Sequence, residues 1–330
     1  MVYFYFYIIL TNVTYKKYTY YIGIKRGYMV MLEKLTLNNM GEFKEIYNRN
    51  FKETSYNKDF FKCYKDQNIF LKYIYRKLIR LIKVDNNCIG YIWYEGGYEK
   101  YIKVWALFID FSYLTLINEA TLSYFNNSIL YYEEIDSKEN NLILNKLGFR
   151  NENYTLLLKI NTNKNFYEES NLNNTIKDQK KININSNIMI SIRKLSTGKD
   201  EYIRCIVQND IFEELDRKPL TIEDIYADIS QDYYIEDLCF FGILNNEYIG
   251  YGQIIFNRNM YTVVNFGIIK KYRGLGLSKI FLREIIKKAK EYGIDDLFIR
   301  VNSNNLKAIN LYKGIGFEEV NKILIWERKC

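Results

Sequence analysis

The residues with the clearest chemical potential lie between Met260 and Phe317. Tyr261-Thr-Val-Val-Asn-Phe-Gly-Ile-Ile269 is apolar, β-branched and aromatic, and reads as a strand. Lys270-Lys-Tyr-Arg-Gly-Leu-Gly-Leu-Ser278 follows as a basic, glycine-bearing turn. Leu277, Phe281, Ile285 and Ala289 then recur at four-residue steps, with Arg283, Glu284, Lys287, Lys288, Lys290 and Glu291 on the other face. That is an amphipathic helix, closed by Gly293 at its C-terminal end. Strand, glycine turn and helix start together make a phosphate cradle. The first amides of a helix have no partner within it, and the macrodipole adds partial positive charge there. Gly274 and Gly276 carry no Cβ, so a phosphate can approach the backbone. Lys270, Lys271, Arg273 and Lys279 add cationic side chains around the turn. The Gly-Lys-Ser/Thr ending of a P-loop is missing, and two glycines do not make the dinucleotide fingerprint G-x-G-x-x-G.

Composition removes other chemistries. The chain has no histidine, which excludes a Ser-His-Asp triad, a Cys-His dyad and a histidine metal site. A general base must be a carboxylate, Tyr, Lys, an ordered water or the substrate itself. The five cysteines are widely spaced with no C-x-x-C, which predicts reduced thiols, a cytoplasmic protein and no metal. The net charge of +8 is explained by an anionic ligand at the turn. No run of like charges exceeds three residues, so no nucleic-acid partner is expected. The 33 tyrosines, with abundant Asn, Lys and Ile and one proline, suit an AT-rich coding sequence, so aromatic stripes carry no weight as binding evidence.

Beyond the helix, Leu297-Phe-Ile-Arg-Val301 reads as a strand, followed by Asn304-Asn-Leu-Lys-Ala-Ile-Asn-Leu-Tyr312 and Gly316-Phe317. Arg273-x-x-Gly276 with Gly274 inside it resembles motif A of the GNAT acetyltransferase superfamily. Asn305-x-x-Ala308-Ile309-x-Leu311-Tyr312, closed by Gly316-Phe317, resembles motif B. The resemblance covers roughly residues 187 to 329 and departs from the pattern at Ser278, where the family has Gly or Ala. It implies acetyl-CoA as co-substrate. By that resemblance the backbone of Phe266, Ile268 and Lys270 holds the pantetheine, and Arg273, Gly274, Gly276, Leu277 and Ser278 cradle the pyrophosphate. Asn305 matches the cofactor-contacting asparagine, and Tyr312 the tyrosine that protonates the departing thiolate. Asn265 lies beside the expected acetyl group and would hold a water or polarise the acceptor. The base stays open among Glu223, Asp224, Glu236 and an ordered water.

The rest of the chain reads as a first, degenerate copy of the same plan. The fold class is α/β with a mixed sheet: two tandem GNAT-like domains, each a twisted mixed sheet flanked by helices. Asn86-Asn-Cys-Ile-Gly-Tyr91 matches Asn245-Asn-Glu-Tyr-Ile-Gly-Tyr251 apart from one inserted residue, and Asn145-Lys-Leu-Gly-Phe149 loosely matches Tyr312-Lys-Gly-Ile-Gly-Phe317. Where motif A would stand, the first copy has Asp110-Phe-Ser-Tyr-Leu-Thr-Leu116, without Gly or Arg and with a carboxylate that repels phosphate. The expected layout is a degenerate domain over 31–160, a polar linker over 161–187 and the acetyltransferase domain over 188–330. Helices are expected at Met40–Asn50, Lys58–Arg76 and Leu114–Tyr124. Residues 1–30 are a doubtful extension: Met1–Leu10 is too short to span a bilayer, and Lys25-Arg26-Gly27 before Met29 and Met31 fits a ribosome-binding stretch read as protein.

The expected function is N-acetylation of a primary amine (small molecule, amino acid or protein N-terminus) through a direct ternary complex. The chain would act as a monomer or homodimer without a membrane partner. The Asn-x-x-Ala-Ile-x-Leu-Tyr stretch is similar to ribosomal-protein N-terminal acetyltransferases, whereas the tandem layout resembles mycothiol-synthase-type proteins. The alternative is a regulatory or scaffold protein that binds acetyl-CoA without turnover.

Overall fold

The computed structural model describes residues 20–25, 28–51, 56–95, 100–163, 190–214 and 217–329. Most of the doubtful extension and most of the expected linker lie outside the described residues. The chain divides into two compact units, Met1–Thr155 with Asn321–Cys330, and Leu156–Val320.

The first unit carries β1 (Tyr20–Lys25), β2 (Tyr28–Lys34), α1 (Met40–Asn50), α2 (Phe60–Lys65) and α3 (Ile69–Lys77). It continues through β3 (Ile79–Val84), β4 (Asn87–Tyr94), β5 (Tyr101–Ile109), β6 (Ile129–Ile135), α4 (Lys138–Lys146) and the start of β7 (Arg150–Asn161). The strand order is β1-β2-β3-β4-β5-β6, with the C-terminal strand β13 (Glu318–Lys329) beyond β6. From Ile323 to Lys329, β13 pairs antiparallel with β6. β5 and β6 pair parallel, whereas β1 to β5 pair antiparallel in sequence order.

The second unit carries the end of β7, β8 (Ser191–Lys194), α5 (Glu201–Ile211), α6 (Ile222–Ile229), β9 (Cys239–Leu244), β10 (Glu247–Asn257) and β11 (Met260–Ile268). Then come α7 (Leu277–Glu291), β12 (Asp296–Asn302) and α8 (Leu306–Lys313). Its strand order is β7-β12-β11-β10-β9-β8, with β11 and β12 parallel. Both units are thus mixed sheets flanked by helices, as the sequence implies.

The repeated Asn-Asn motif has a structural cause. Asp85-Asn86 and Asn245-Asn246 are two-residue hairpin turns, and all four residues have positive φ between 47° and 70°. Such type I′ turns match the twist of the flanking strands, and Asn and Asp tolerate that backbone. Gly90 and Gly250 then let neighbouring strands close up. A Cβ on Gly90 would meet the Phe108 carbonyl at 2.2 Å, and one on Gly250 the Gly267 carbonyl at 2.8 Å.

Two expectations are corrected. The helix over Lys58–Arg76 is broken in two, because the Asn68 side chain accepts from Leu71 N at 2.9 Å and caps a new start. The helix over Leu114–Tyr124 is instead a pair of 3-10 turns, Phe111–Tyr113 and Glu119–Phe125. Asp110 and Asn118 take the local amides with their side chains, offering the backbone an alternative to α-helix.

α7 is held by its apolar face: Leu277, Phe281, Leu282, Ile285, Ile286 and Ala289 are buried in one cluster with Ile249, Ile254, Val263, Leu297 and Ile299 of the sheet. Burying Phe281 contributes about 2–3 kcal/mol relative to leaving it exposed. On the other face of the same sheet, α5 packs Val207 and Ile211 against Leu195, Phe241 and Tyr251. Among the described residues no helix is long and apolar enough to cross a membrane.

The buried tyrosines make stability sensitive to alkali. Burial pushes the phenols of Tyr91, Tyr94, Tyr132 and Tyr251 upward. Tyr124 runs the other way: burial opposes its ionisation, but the Arg80 charge and hydrogen bonds outweigh it. For the raised group the native state keeps protons that the unfolded chain releases near pH 10. Their stabilisation is full below that pH and is lost as pH rises through the folded values. Urea midpoints are therefore expected to fall steeply between about pH 10 and about pH 11.5, with the buried tyrosines' share of the tyrosinate absorbance rising only at unfolding. Full tyrosinate absorbance in a still-folded protein would contradict this.

Candidate active site

β11 bears the centre of the site. Its parallel ladder with β12 runs from Tyr261↔Leu297 to Val263↔Ile299 and stops, although β11 continues to Ile268 and β12 to Asn302. Beyond Val263 the two strands part. On its other edge β11 stays paired with β10, but the register jumps from Val264↔Gln253 to Gly267↔Tyr251. Asn265 and Phe266 therefore share one partner position, Gly252. Asn265 sits at φ 53°, in the left-handed region that Asn adopts more readily than most residues. This is a β-bulge, and a bulge bends its strand and sharpens the twist.

Phe266 lies against α7, its ring 5.7 Å from that of Phe281 and stacked at 27°. Tyr312 of α8 follows at 6.5 Å from Phe266 and 6.1 Å from Phe317. Tyr312 is buried, and desolvation pushes its phenol up to about 12. Its hydroxyl has no hydrogen-bond partner among the described residues. It is thus a fully protonated acid at neutral pH, with its proton uncommitted.

The glycine turn is braced from three sides. The Lys270 amide donates to Asp210 Oδ1 at 2.6 Å, and its ammonium pairs with Glu213. The Lys270 carbonyl accepts from Arg273 N at 3.2 Å, so both backbone groups expected to meet pantetheine are engaged within the protein. Lys271 and Tyr272 both reach Glu247 at the start of β10. Arg273 donates through Nε to the Ile268 carbonyl at 3.1 Å and through Nη2 to the Ile211 carbonyl. The cations of the turn thus hold its shape, and recognition of an anion there falls to backbone amides.

Those amides are presented openly. Gly274 and Gly276 have φ of 79° and 74°, and a Cβ built on either would meet no protein atom within 4 Å. Gly276 is the N-cap of α7, and no side chain caps that end. Buried Leu277 anchors the first turn, with Ser278 beside it half-buried. A helix start left open, with room where a side chain would otherwise stand, fits a pyrophosphate.

The remaining predicted residues take different roles. Ile268 is buried beside Gly250, and its carbonyl holds Arg273. Asn305 is the N-cap of α8, its Oδ1 accepting from Ala308 N at 3.1 Å. Asp224 closes a capping box with Thr221 at 2.8 Å, while Glu223 and Glu236 are exposed. Among the described residues no group of three or more metal-ligating side chains converges.

One group went unread in the sequence. Asp228 accepts from Tyr233 Oη at 2.7 Å, from Gln253 Nε2 at 3.2 Å and from Arg204. Arg204 donates to Gln208 at 2.8 Å and is 1% exposed, and Tyr251 donates to Gln253 at 2.7 Å. The signal was Arg204 and Gln208 at the i and i+4 positions of the helix face that also carries Cys205, Val207 and Ile211.

With this geometry in place, comparisons with known proteins assign the region. Residues 208–317 match the acetyltransferase (GNAT) family. An N-alpha-acetyltransferase of Sulfurisphaera tokodaii is 39% identical over 59 residues, 18% of this chain and 35% of that protein. A [ribosomal protein bS18]-alanine N-acetyltransferase of Haemophilus influenzae is 35% identical over 79 residues, 24% of this chain and 53% of that protein. The chain thus spans between a third and about half the length of these two relatives. The fold of a GCN5-related N-acetyltransferase from Sphaerobacter thermophilus superposes with TM-score 0.55 at 12% identity, over 81% of this chain and 88% of that one. A tandem GNAT protein from the clavulanic acid biosynthesis pathway gives TM-score 0.51 at 7% identity, over 76% of this chain and 81% of that one. Residues 208–317 thus carry the match to the GNAT family, a family that uses acetyl-CoA, and the solved structures share the fold.

Gly276→Val tests the cradle. The branched side chain fills the open space and strains a left-handed backbone by about 1–3 kcal/mol. The thermal stabilisation given by acetyl-CoA is expected to vanish, while the ligand-free protein still melts cooperatively a few degrees lower. An undiminished acetyl-CoA shift in this variant would place the pyrophosphate elsewhere.

Proposed function

We propose that this GNAT-family domain, within residues 188–330, transfers the acetyl group of acetyl-CoA to a primary amine through a direct ternary complex. The observation that carries this reading is the sequence of parted strands, bulge and uncapped glycine turn along one strand and the helix after it. Acetyl-CoA supplies an activated thioester. The chain's part is to lay it along the open edge of β11 beyond Val263, its pyrophosphate on the amides from Gly274 to Ser278. Asn265, at the bulge, faces the carbonyl end and positions the acceptor or a water. In the transfer a C–N bond forms and the C–S bond breaks. One proton of the ammonium leaves to water or a carboxylate before attack, and a second leaves the nitrogen to solvent as the tetrahedral intermediate collapses; the thiolate takes a proton from Tyr312, which solvent replaces. A protonated, uncommitted phenol beside Phe266 suits that role.

The names of the two relatives favour an α-amino group, at the N-terminus of a peptide or protein, as acceptor. The first unit takes no part in cofactor binding on this reading. Its corresponding strands also part, after Val104↔Tyr132, but the Tyr132 hydroxyl lies 2.8 Å from Asn57 Oδ1 and 3.4 Å from the Leu107 carbonyl, across the opening. Asp110 occupies the turn. The protein is read as cytoplasmic, acting as a monomer or homodimer on acetyl-CoA and an amine, without nucleic acid.

Release of CoA with a panel of peptide N-termini and small amines tests this reading. Tight acetyl-CoA binding with no release on any acceptor would favour the regulatory alternative. Given turnover, Tyr312→Phe keeps the ring and removes the acid. Its kcat is expected to fall on the order of 10²-fold with unchanged acetyl-CoA affinity, the mark of an interaction made in the transition state. Wild-type turnover in the Phe variant, with chemistry rate-limiting, would leave the thiolate to be protonated by water.

A further inference from the structure

Helix α3 of the first unit leaves its apolar side chains outside the core. Six of its nine residues are apolar or aromatic, Ile69, Phe70, Leu71, Tyr73, Ile74 and Tyr75, yet none of the nine is buried. By contrast α1 buries Phe43, Ile46 and Tyr47, and α4 buries Ile143 and Leu144. Tyr75 turns inward, its ring 6.4 Å from Phe60 and 6.3 Å from Trp93, and ties the helix to the cluster around Phe43. At about 100° per residue, Ile69 and Tyr73 lie together on the side away from Tyr75. Ile69 is 88% exposed, Phe70 50% and Tyr73 44%.

The same stretch is basic. From Phe60 to Lys77 stand Lys62, Lys65, Lys72, Arg76 and Lys77 against one acid, Asp66. Among the described residues Lys65, Lys72, Arg76 and Lys77 have no ion pair. They meet aromatic side chains instead. Lys77 Nζ is 4.4 Å from the centre of the Tyr73 ring and Lys72 Nζ 5.6 Å from that of Tyr64, while Arg76 donates to the Tyr64 hydroxyl at 2.6 Å. The charges therefore stay beside the apolar strip without being neutralised. Lys72 and Arg76 flank it on one side and Lys77 on the other, by the same helical spacing.

We propose that α3 docks on an anionic phospholipid surface, with Ile69, Phe70 and Tyr73 at the boundary of headgroups and acyl chains and Lys72, Arg76 and Lys77 among the lipid phosphates. The charge balance selects a negative surface. The form of the patch selects a bilayer. Ile69 protrudes at the start of the helix, where a protein partner would need a matching socket and a nucleic acid would find a branched aliphatic chain in place of a stacking ring. A fluid interface takes up a protruding apolar residue and leaves the tyrosine hydroxyl and the ammonium groups in water. Such a helix lies in the interface and spans nothing, in keeping with the absence of a membrane-crossing helix among the described residues. The proposal does not rest on the acyl-transfer reading, and it replaces the expectation of no membrane partner.

Flotation of the full-length protein with vesicles of phosphatidylcholine, alone or with about one third phosphatidylglycerol, tests it. Partition into the anionic vesicles should exceed that into the neutral ones by about tenfold or more, and high salt should shrink the difference. Ile69→Ser/Tyr73→Ser should lose most of the binding, and Lys72→Gln/Lys77→Gln should lose the preference for anionic lipid. Both variants should melt as the wild type does, since α3 buries none of these side chains. Tyr202→Ser, at a more exposed tyrosine of α5, should bind as the wild type does. Binding that survives Ile69→Ser/Tyr73→Ser, equal binding to both vesicle types, or no binding overturns the proposal. So does a dimer that the serine variant splits in the absence of vesicle binding, which would make a second copy of the chain the occupant.

Discussion

The site depends on where β11 lets go of β12. Up to Val263 the two strands share a parallel ladder; past it β11 keeps its bonds to β10 and turns away from β12. The extra residue at Asn265 sets this in motion, because a bulge adds length and twist to one strand of a pair. Opening a sheet leaves main-chain donors and acceptors without ladder partners, at roughly 1–3 kcal/mol for each one buried and unmet. A ligand that carries its own amides along that edge offsets the cost, and an empty slot does not. On the proposed reading, the bulge would place the affinity for an extended, amide-bearing arm on backbone geometry.

The two units share local features of this frame and differ at the slot. Both have the two-residue hairpin at positive φ, the glycine that lets strands close, and the parallel pair that parts early. In the first unit the parting is bridged by its own Tyr132, whose hydroxyl also meets buried Glu134. The turn after β5 begins at Asp110, whose carboxylate accepts from Ser112 N at 3.0 Å. A carboxylate there satisfies the local amides and would repel a phosphate. The frame of the first unit is packed around a hydrophobic cluster that includes Ile82, Ile92, Val104, Leu130 and Phe149.

Much of this was legible in the sequence because it is local. The glycine turn, α7 and the helix ending at Tyr312 follow from spacing and residue type, and α1 ends where the pattern places it. What was not legible depends on partners distant in the chain. Nothing in Asn265 itself announces a left-handed residue inside a strand; the register with Gln253 and Tyr251 does. The lysines of the turn read as phosphate ligands, yet Glu213 and Glu247 take Lys270 and Lys271, since those acids are brought near only by the fold. The helix expected over Leu114–Tyr124 lost to Asp110 and Asn118, short side chains that compete with the backbone for its own amides.

The buried network around Asp228 completes the logic of the bulge. Arg204 comes from α5, Asp228 from α6, and Gln253 from β10, at the register position opposite Val264. Such a set is a poor source of stability, since desolvating the charges cancels much of their attraction. Its value is positional. Gln253 is fully buried and both ends of its amide are bonded, the Oε1 from Tyr251 and the Nε2 to Asp228. A one-residue slip of β10 would turn that amide to the opposite face of the sheet, among Phe281, Ile285 and Ile286, with neither bond made. The network thus fixes the register of β10, the register fixes where the bulge falls on β11, and the bulge fixes where the strands part.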